Sequence, residues 1–282
     1  MPWPALLRRE WLEHRMALLW APLLLALALI GLALTASTLD LGRMAAEARQ
    51  DDDPLHLLSA LAFVSLPFVL LYLLTATFVL LGALFDERQD RSIVFFKSLP
   101  VTDLQTVASK LIAVLLLAPL VTVVAITVTQ FAAVLFLTLN CDCGAGVLGN
   151  LAEAQLLGNL PLHLFGFVTQ ALWSLPVWSW LLLVSAIAPR LPMLLALGGP
   201  ALLAFSEWLV LDRTAMTGAL AVYLEPVGLQ PYQQLVAAGE TGPVTWAMAV
   251  DPWLRRELWL GLVLSAMLLA ATVIARRHHR DL

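Results

Sequence analysis

Six apolar stretches, almost free of charge, divide the chain: residues 17–38, 57–85, 111–139, 162–188, 191–211 and 258–275. A helix needs roughly 18 or more such residues to cross the hydrocarbon core of a bilayer. Lipid offers no partner to an exposed peptide group, so each stretch must satisfy its own backbone as a helix. Barrel strands are shorter and alternate in polarity, which these stretches do not. Pro67, Pro119 and Pro176 fall inside three of them and read as tolerable kinks.

Composition excludes a soluble fold. Hydrophobic residues make up 61% of the 282 and charged residues 13%, against about 45–50% and 25% in soluble domains. A chain of this length cannot bury that much apolar surface within itself, because surface takes a large share of any domain. The formal net charge of −4 matters less than where the charges sit.

Six spans put both termini on one side, and Lys and Arg select the side. With the termini in the cytoplasm, the inner segments hold Arg8, Arg9, Arg15, Arg88, Arg91, Lys97, Lys110, Arg190, Arg276, Arg277 and Arg280. Those are most of the 16 basic residues. The outer segments hold Arg43, Arg49, Arg213, Arg255 and Arg256, the last two dissenting at the edge of the final span. The orientation read from this is N-in, C-in. The run Ala17–Leu34 is too long for the core of a signal peptide, although Thr35-Ala36-Ser37 mimics a cleavage site.

The outer parts are small. Asp51-Asp52-Asp53 reads as a solvated loop, since three consecutive carboxylates lack the ligand spacing of calcium loops. Cys141 and Cys143 form no CxxC pair and no Cys/His cluster, so no metal site is expected. They read as two thiols, or as a disulfide where the compartment is oxidising. Residues 212–256 are too apolar for a free loop and suit short helices in or dipping into the outer interface, with Tyr223, Trp246 and Trp253 at headgroup depth.

The cytoplasmic segment 86–110 is the most informative. It opens with the mixed charges Asp86, Glu87, Arg88, Asp90 and Arg91, then turns apolar through Phe95 and Phe96. Pro100 ends any helix. Thr102 and Gln105 have the spacing of a capping box, so a new helix is expected to begin there and reach Lys110. One reading is a solvated loop on the membrane. The other is an amphipathic docking element held between two spans, able to pass a push from a soluble partner to both.

The pattern Arg88-x-Asp90-x-Ser92, followed by Ser98-Leu99-Pro100-Val101-Thr102, resembles the cytoplasmic signature of type-two ABC exporter permeases. The resemblance covers the six-span layout and is sharp over about 85–110. It implies a coupling helix that contacts a separate ATPase chain through Asp86, Glu87, Arg88, Asp90, Arg91, Ser92, Phe96, Lys97, Ser98, Leu99 and Pro100. It also implies an amphipathic helix before the first span, for which Trp3–Arg15 is the match, and helical re-entrant structure before the last span. Two permease copies, as a homodimer, would work with two ATP-binding subunits in a bacterial inner membrane, with ATP and Mg in those subunits. The cargo does not follow from such likeness. No G-x-x-x-x-G-K-[ST] loop occurs, so this chain is not expected to hydrolyse ATP or carry a cofactor. Lipid is a partner throughout; nucleic acid is not.

Within the spans, Glu207 is the one acidic residue. A charge at bilayer depth costs about 2.5–3.5 kcal/mol on insertion scales. It reads either as a carboxylate near the outer interface or as a cargo or proton-coupling group. Tyr72, Thr75, Thr122, Thr129 and Trp178 are further pathway candidates, with Thr77, Thr127 and Gln130 beside them. For the hydroxyls the plainer role is bonding to their own helix. Trp173, Trp178 and Trp180 flank Pro176 and suit either an interface or a cargo wall. Two rivals to the ABC permease stand: a self-contained proton-coupled transporter using Glu207, against which the lack of a repeat between halves counts, and an intramembrane enzyme, for which no catalytic set is present. The fold expected is an all-α membrane protein with six transmembrane helices.

Overall fold

The computed structural model describes residues 3–36, 55–90, 101–140, 160–211, 215–225 and 246–278. Every regular element among them is helical. In chain order these are α1 (Trp3–Glu13), α2 (Ala21–Ala36), α3 (Leu55–Ala83), α4 (Phe85–Gln89), α5 (Asp103–Ile112), α6 (Ala118–Asn140), α7 (Leu160–Trp173), α8 (Leu175–Ile187), α9 (Pro192–Leu211), α10 (Ala215–Leu224), α11 (Trp246–Leu254) and α12 (Arg256–His278). A π turn, Met16–Trp20, leads into α2, and another, Ala113–Leu117, joins α5 to α6.

Four helical runs are long and apolar enough to cross a membrane: Val64–Gln89, Asp103–Phe136, Pro192–Val210 and Arg256–Arg277. The number rises to six if each of two bent pairs counts as one span. This is therefore a multi-pass helical membrane protein. In the first pair, α1 meets the Met16–Leu32 run at 72°. Arg8, Arg9, Glu10 and Glu13 make α1 too polar for a span, so it lies across the end of the bundle. In the second, α7 and α8 meet at 52°.

Prolines shape these joints. Pro176 sits in the first turn of α8, a position that tolerates a missing N–H. Instead of kinking one helix it begins a second. Each π turn ends two residues before a proline, Pro22 or Pro119. A proline inside a helix clashes with the carbonyl four residues back, and a wider turn upstream relieves it. Pro67 lies within an unbroken α3.

The core is made by α3, α6, α8 and α12, with α2 against α6 and α7 against α6 and α11. Phe68, Tyr72, Ala76, Leu80, Val114, Ile126, Trp178 and Leu182 fill its centre. Van der Waals packing and small residues hold such bundles, since lipid tails are as apolar as leucine. Gly261 shows the closeness: a Cβ there would lie 2.7 Å from the Tyr223 ring and 3.0 Å from Pro176 Cγ. Gln130 Nε2 on α6 donates to Ser65 Oγ on α3 at 3.1 Å, joining two spans inside the apolar layer. By contrast α9 presents Leu194, Leu197, Leu202, Leu203, Trp208 and Val210 outward.

The bend between α7 and α8 pins α10. Trp173 Nε1 donates to Val222 O at 2.6 Å, Ser174 Oγ to Tyr223 O at 3.2 Å and Gln170 Nε2 to Glu225 O at 3.1 Å. The last carbonyls of a helix lack intrahelical donors, and these three side chains supply them. Tyr223 OH in turn donates to Glu257 O at 3.1 Å, and Trp253 Nε1 to Thr169 Oγ1 at 2.9 Å.

Candidate functional site

Four helices far apart in sequence, α1, α4, α5 and α12, bring ionised side chains to one end of the bundle. The segment 101–112 starts as its residue pattern requires. Gln105 N donates to Thr102 Oγ1 at 3.2 Å and Thr102 N to Gln105 Oε1 at 3.0 Å, closing the capping box. That fixes Asp103 at the first position of α5, where a carboxylate suits the helix dipole. Two turns later the same helix carries Lys110.

Lys110 is the hub. Its Nζ donates to Glu10 Oε2 of α1 at 3.3 Å and lies 3.0 Å from Glu87 Oε1 of α4. Glu87 takes two more cations: Arg9 Nη2 donates to Oε1 at 3.1 Å and Arg276 Nη1 of α12 to Oε2 at 2.8 Å. Arg276 Nε then donates to Asp103 Oδ1 at 3.0 Å, and Arg9 Nη2 is 3.3 Å from Glu13 Oε2. Glu10 and Lys110 are each 1% exposed, and Glu87 and Arg276 each 4%. Charges so far from solvent persist only when paired on several sides. Glu10 is the least compensated member. Burial pushes its carboxyl above the usual carboxylate range, against the pull of Lys110 and Arg9.

A second join lies beside the first. Ser185 Oγ of α8 accepts from the backbone N–H groups of Leu84 and Phe85, both at 3.0 Å. Arg88 Nη2 of α4 donates to Ser185 O at 2.7 Å and Ala188 O at 2.8 Å. Arg88 thereby closes the C-terminal end of α8, and its guanidinium also sits 5.8 Å from the Phe85 ring centre.

The residues read from sequence as partner contacts divide accordingly. Glu87 and Arg88 turn inward and are engaged within the chain, while Asp86 and Asp90 are exposed. Arg91, Ser92, Phe96, Lys97, Ser98, Leu99 and Pro100 lie outside the described residues, as do Cys141, Cys143 and the aspartates 51–53. In the sequence Arg276 counts only as an inner-side cation and Trp3–Arg15 only as an amphipathic helix; that Arg9, Glu10 and Arg276 join the network around Glu87 and Lys110 emerges from the packing. The signal present in the sequence was Glu10 itself, a carboxylate on the apolar face of α1.

The pathway candidates are mostly packing groups within this chain. Tyr72 is buried, edge-on to Phe167 and Trp178, and its hydroxyl donates to Val114 O of the π turn at 3.3 Å. Trp178 is buried with it. Thr75, Thr122 and Thr129 donate to carbonyls of their own helices. Glu207 is half-buried on α9.

Glu10, Glu13 and His14 bring potential metal-ligand atoms within 4.8 Å of one another. Lys110 and Arg9 already stand against those two carboxylates, and cations at that distance oppose a divalent ion. The arrangement suits an ion-pair network. Comparison of the chain with family models, curated proteins and solved structures gives no match.

Proposed function

We propose that this chain is the membrane-spanning permease subunit of an ATP-binding cassette exporter, driven by a separate ATPase through residues 86–110. Two copies form the pathway, each carrying one ATPase, with six spans and both termini in the cytoplasm of a bacterial inner membrane. ATP and Mg belong to the partner.

One observation carries the reading. The two helices that flank the 91–100 stretch, α4 and α5, are joined by ion pairs to α1 and α12 at the same end of the bundle, through Glu87 on α4 and Asp103 and Lys110 on α5. A segment fixed in this way passes force to several helices instead of yielding alone. The Walker-type phosphate loop is missing from the sequence, so ATP energy would have to arrive from outside. The eleven basic residues assigned to the inner side include all four cations of the two joins, Arg9, Arg88, Lys110 and Arg276, which supports the orientation.

The test is co-expression with candidate ATP-binding cassette ATPases from the same genome, followed by purification in detergent. The expected result is a stable complex whose ATPase activity changes when Asp86 and Asp90 are replaced by asparagine. Recovery of the chain without an ATPase overturns the reading. So does labelling of Asp90→Cys by an impermeant maleimide added to intact cells.

A further inference from the structure

The join between α4 and α8 does more than seal a helix end. The last carbonyls of an α-helix have no donor of their own, and a water molecule or lysine would serve. Here Arg88 directs one nitrogen at two of them, at 2.7 and 2.8 Å, while Ser185 Oγ reaches back to two N–H groups of the α3–α4 junction. Four hydrogen bonds, all donated by the α3–α4 segment and accepted by α8, join stretches about a hundred positions apart. Ser185 and Ala188 are buried, so the accepting oxygens on the α8 side are shielded from water, while Arg88 itself is partly exposed.

The connection after α8 is stiff. Residues 188–191 read Ala-Pro-Arg-Leu, and Pro192 opens α9. Ala188 is extended, φ −63° and ψ 128°, as a residue before proline must be. Pro189 and Pro192 fix two more φ angles. Past the turn, Trp180 Nε1 donates to Ala196 O at 3.1 Å, so the first turns of α9 are also held to α8. Beyond them α9 is largely exposed, with contacts to α10 as well as to α8.

We propose that Arg88 is a positioning residue that, with Ser185, makes α4 and the Ala188–Leu191 turn one moving body, so that displacement of the 86–110 segment is delivered into α9. The source of that displacement rests on the partner-driven reading; the rigidity is a property of this chain alone. Arg88 acts inside the chain and not at the partner's surface.

The test uses the full chain in nanodiscs, with Cys141 and Cys143 replaced by serine and spin labels at Asp90→Cys and Leu194→Cys. Both sites are exposed. Pulsed electron resonance is expected to give one narrow distance. Arg88→Ala should broaden it at least twofold, and Arg88→Lys, whose single ammonium replaces a planar fork, should give an intermediate width. Pro189→Gly leaves both joins intact and should broaden the same distance, which covers the case where Arg88→Ala does not fold. Lower thermal stability with an unchanged distance distribution in these variants overturns the proposal, because the contacts would then hold the fold without coupling its parts. With the ATPase bound, Arg88→Ala should still co-purify and hydrolyse ATP, but lose the nucleotide-dependent shift of the Leu194 label. Loss of co-purification in that variant alone would place Arg88 at the partner contact and also overturn it. If the ATPase fails to bind the parent chain, the partner reading falls while the distance measurement decides this one.

Discussion

Glu87 and Arg276, 189 positions apart, meet at 2.8 Å with both side chains buried. The contact ties the segment after α3 to the C-terminal end of the last helix. It is also the shortest link in a chain of charges running Glu10–Lys110–Glu87–Arg276–Asp103 through four helices. Removing a member strands its neighbours in a place that solvent does not reach.

Glu87→Gln should therefore be the most damaging single change. It leaves Lys110, Arg9 and Arg276 short of a shared carboxylate, and breaking a buried pair costs about 3–5 kcal/mol. Glu10→Gln should cost less, because Lys110 keeps its nearer partner, Glu87. Thermal unfolding of the purified chain in detergent measures both. In a double-mutant cycle, Glu87→Gln with Arg276→Met should cost less than the sum of the two single changes. Additive losses would show that the pair is not coupled.

Close packing around Gly261 gives a separate expectation. Gly261→Ala places a methyl group against the Tyr223 ring and Pro176, both too near to accept it without movement. Overpacking of this kind costs about 1–3 kcal/mol, and the Tyr223–Glu257 hydrogen bond should weaken with it. Gly31→Ala is the control, since a Cβ there meets nothing within 4 Å. Its melting temperature should match or slightly exceed that of the parent chain, as alanine favours helix over glycine.

The bundle's helices could be read from sequence because apolarity over about 20 residues is a one-dimensional signal. The start of α5 could be read because a capping box is local: Thr102 and Gln105 find each other without help from the rest of the chain. The charge network could not. Arg9, Lys110 and Arg276 looked alike as inner-side cations, and which of them shares a carboxylate with Glu87 depends on the packing of α1, α5 and α12. Pro176 was legible as a disturbance but not as a break, since a proline in the first turn of a helix and one in its middle have the same sequence neighbours. The pattern Leu-Leu-x-Ala-Pro recurs at residues 18–22 and 115–119, and each copy overlaps a π turn.

Tyr72 separates a packing role from a pathway role. Its hydroxyl donates to Val114 O, so Tyr72→Phe should cost about 0.5–1.5 kcal/mol. Tyr72→Ala removes the ring from its edge contacts with Phe167 and Trp178 and should cost about 3–5 kcal/mol. Melting curves of the two variants check the ratio. If both leave stability unchanged, the ring is not part of the core and the residue faces an open path instead.

Glu207 distinguishes the two transport readings. In a proton-coupled carrier its carboxyl must gain and lose a proton in each cycle, so Glu207→Gln would abolish proton-coupled flux. In the partner-driven reading the carboxylate is a tolerated charge on α9, and the variant should assemble with the ATPase and hydrolyse ATP at a rate within about twofold of the parent complex, which is under about 0.5 kcal/mol in barrier height. The measurement is ATPase activity of the reconstituted complex, with a pH gradient imposed across the liposome and without one. Hydrolysis that is insensitive to the gradient in both the parent and the variant is the expected result. Gradient-driven uptake by the chain alone, lost in Glu207→Gln, would instead place the energy source inside this polypeptide.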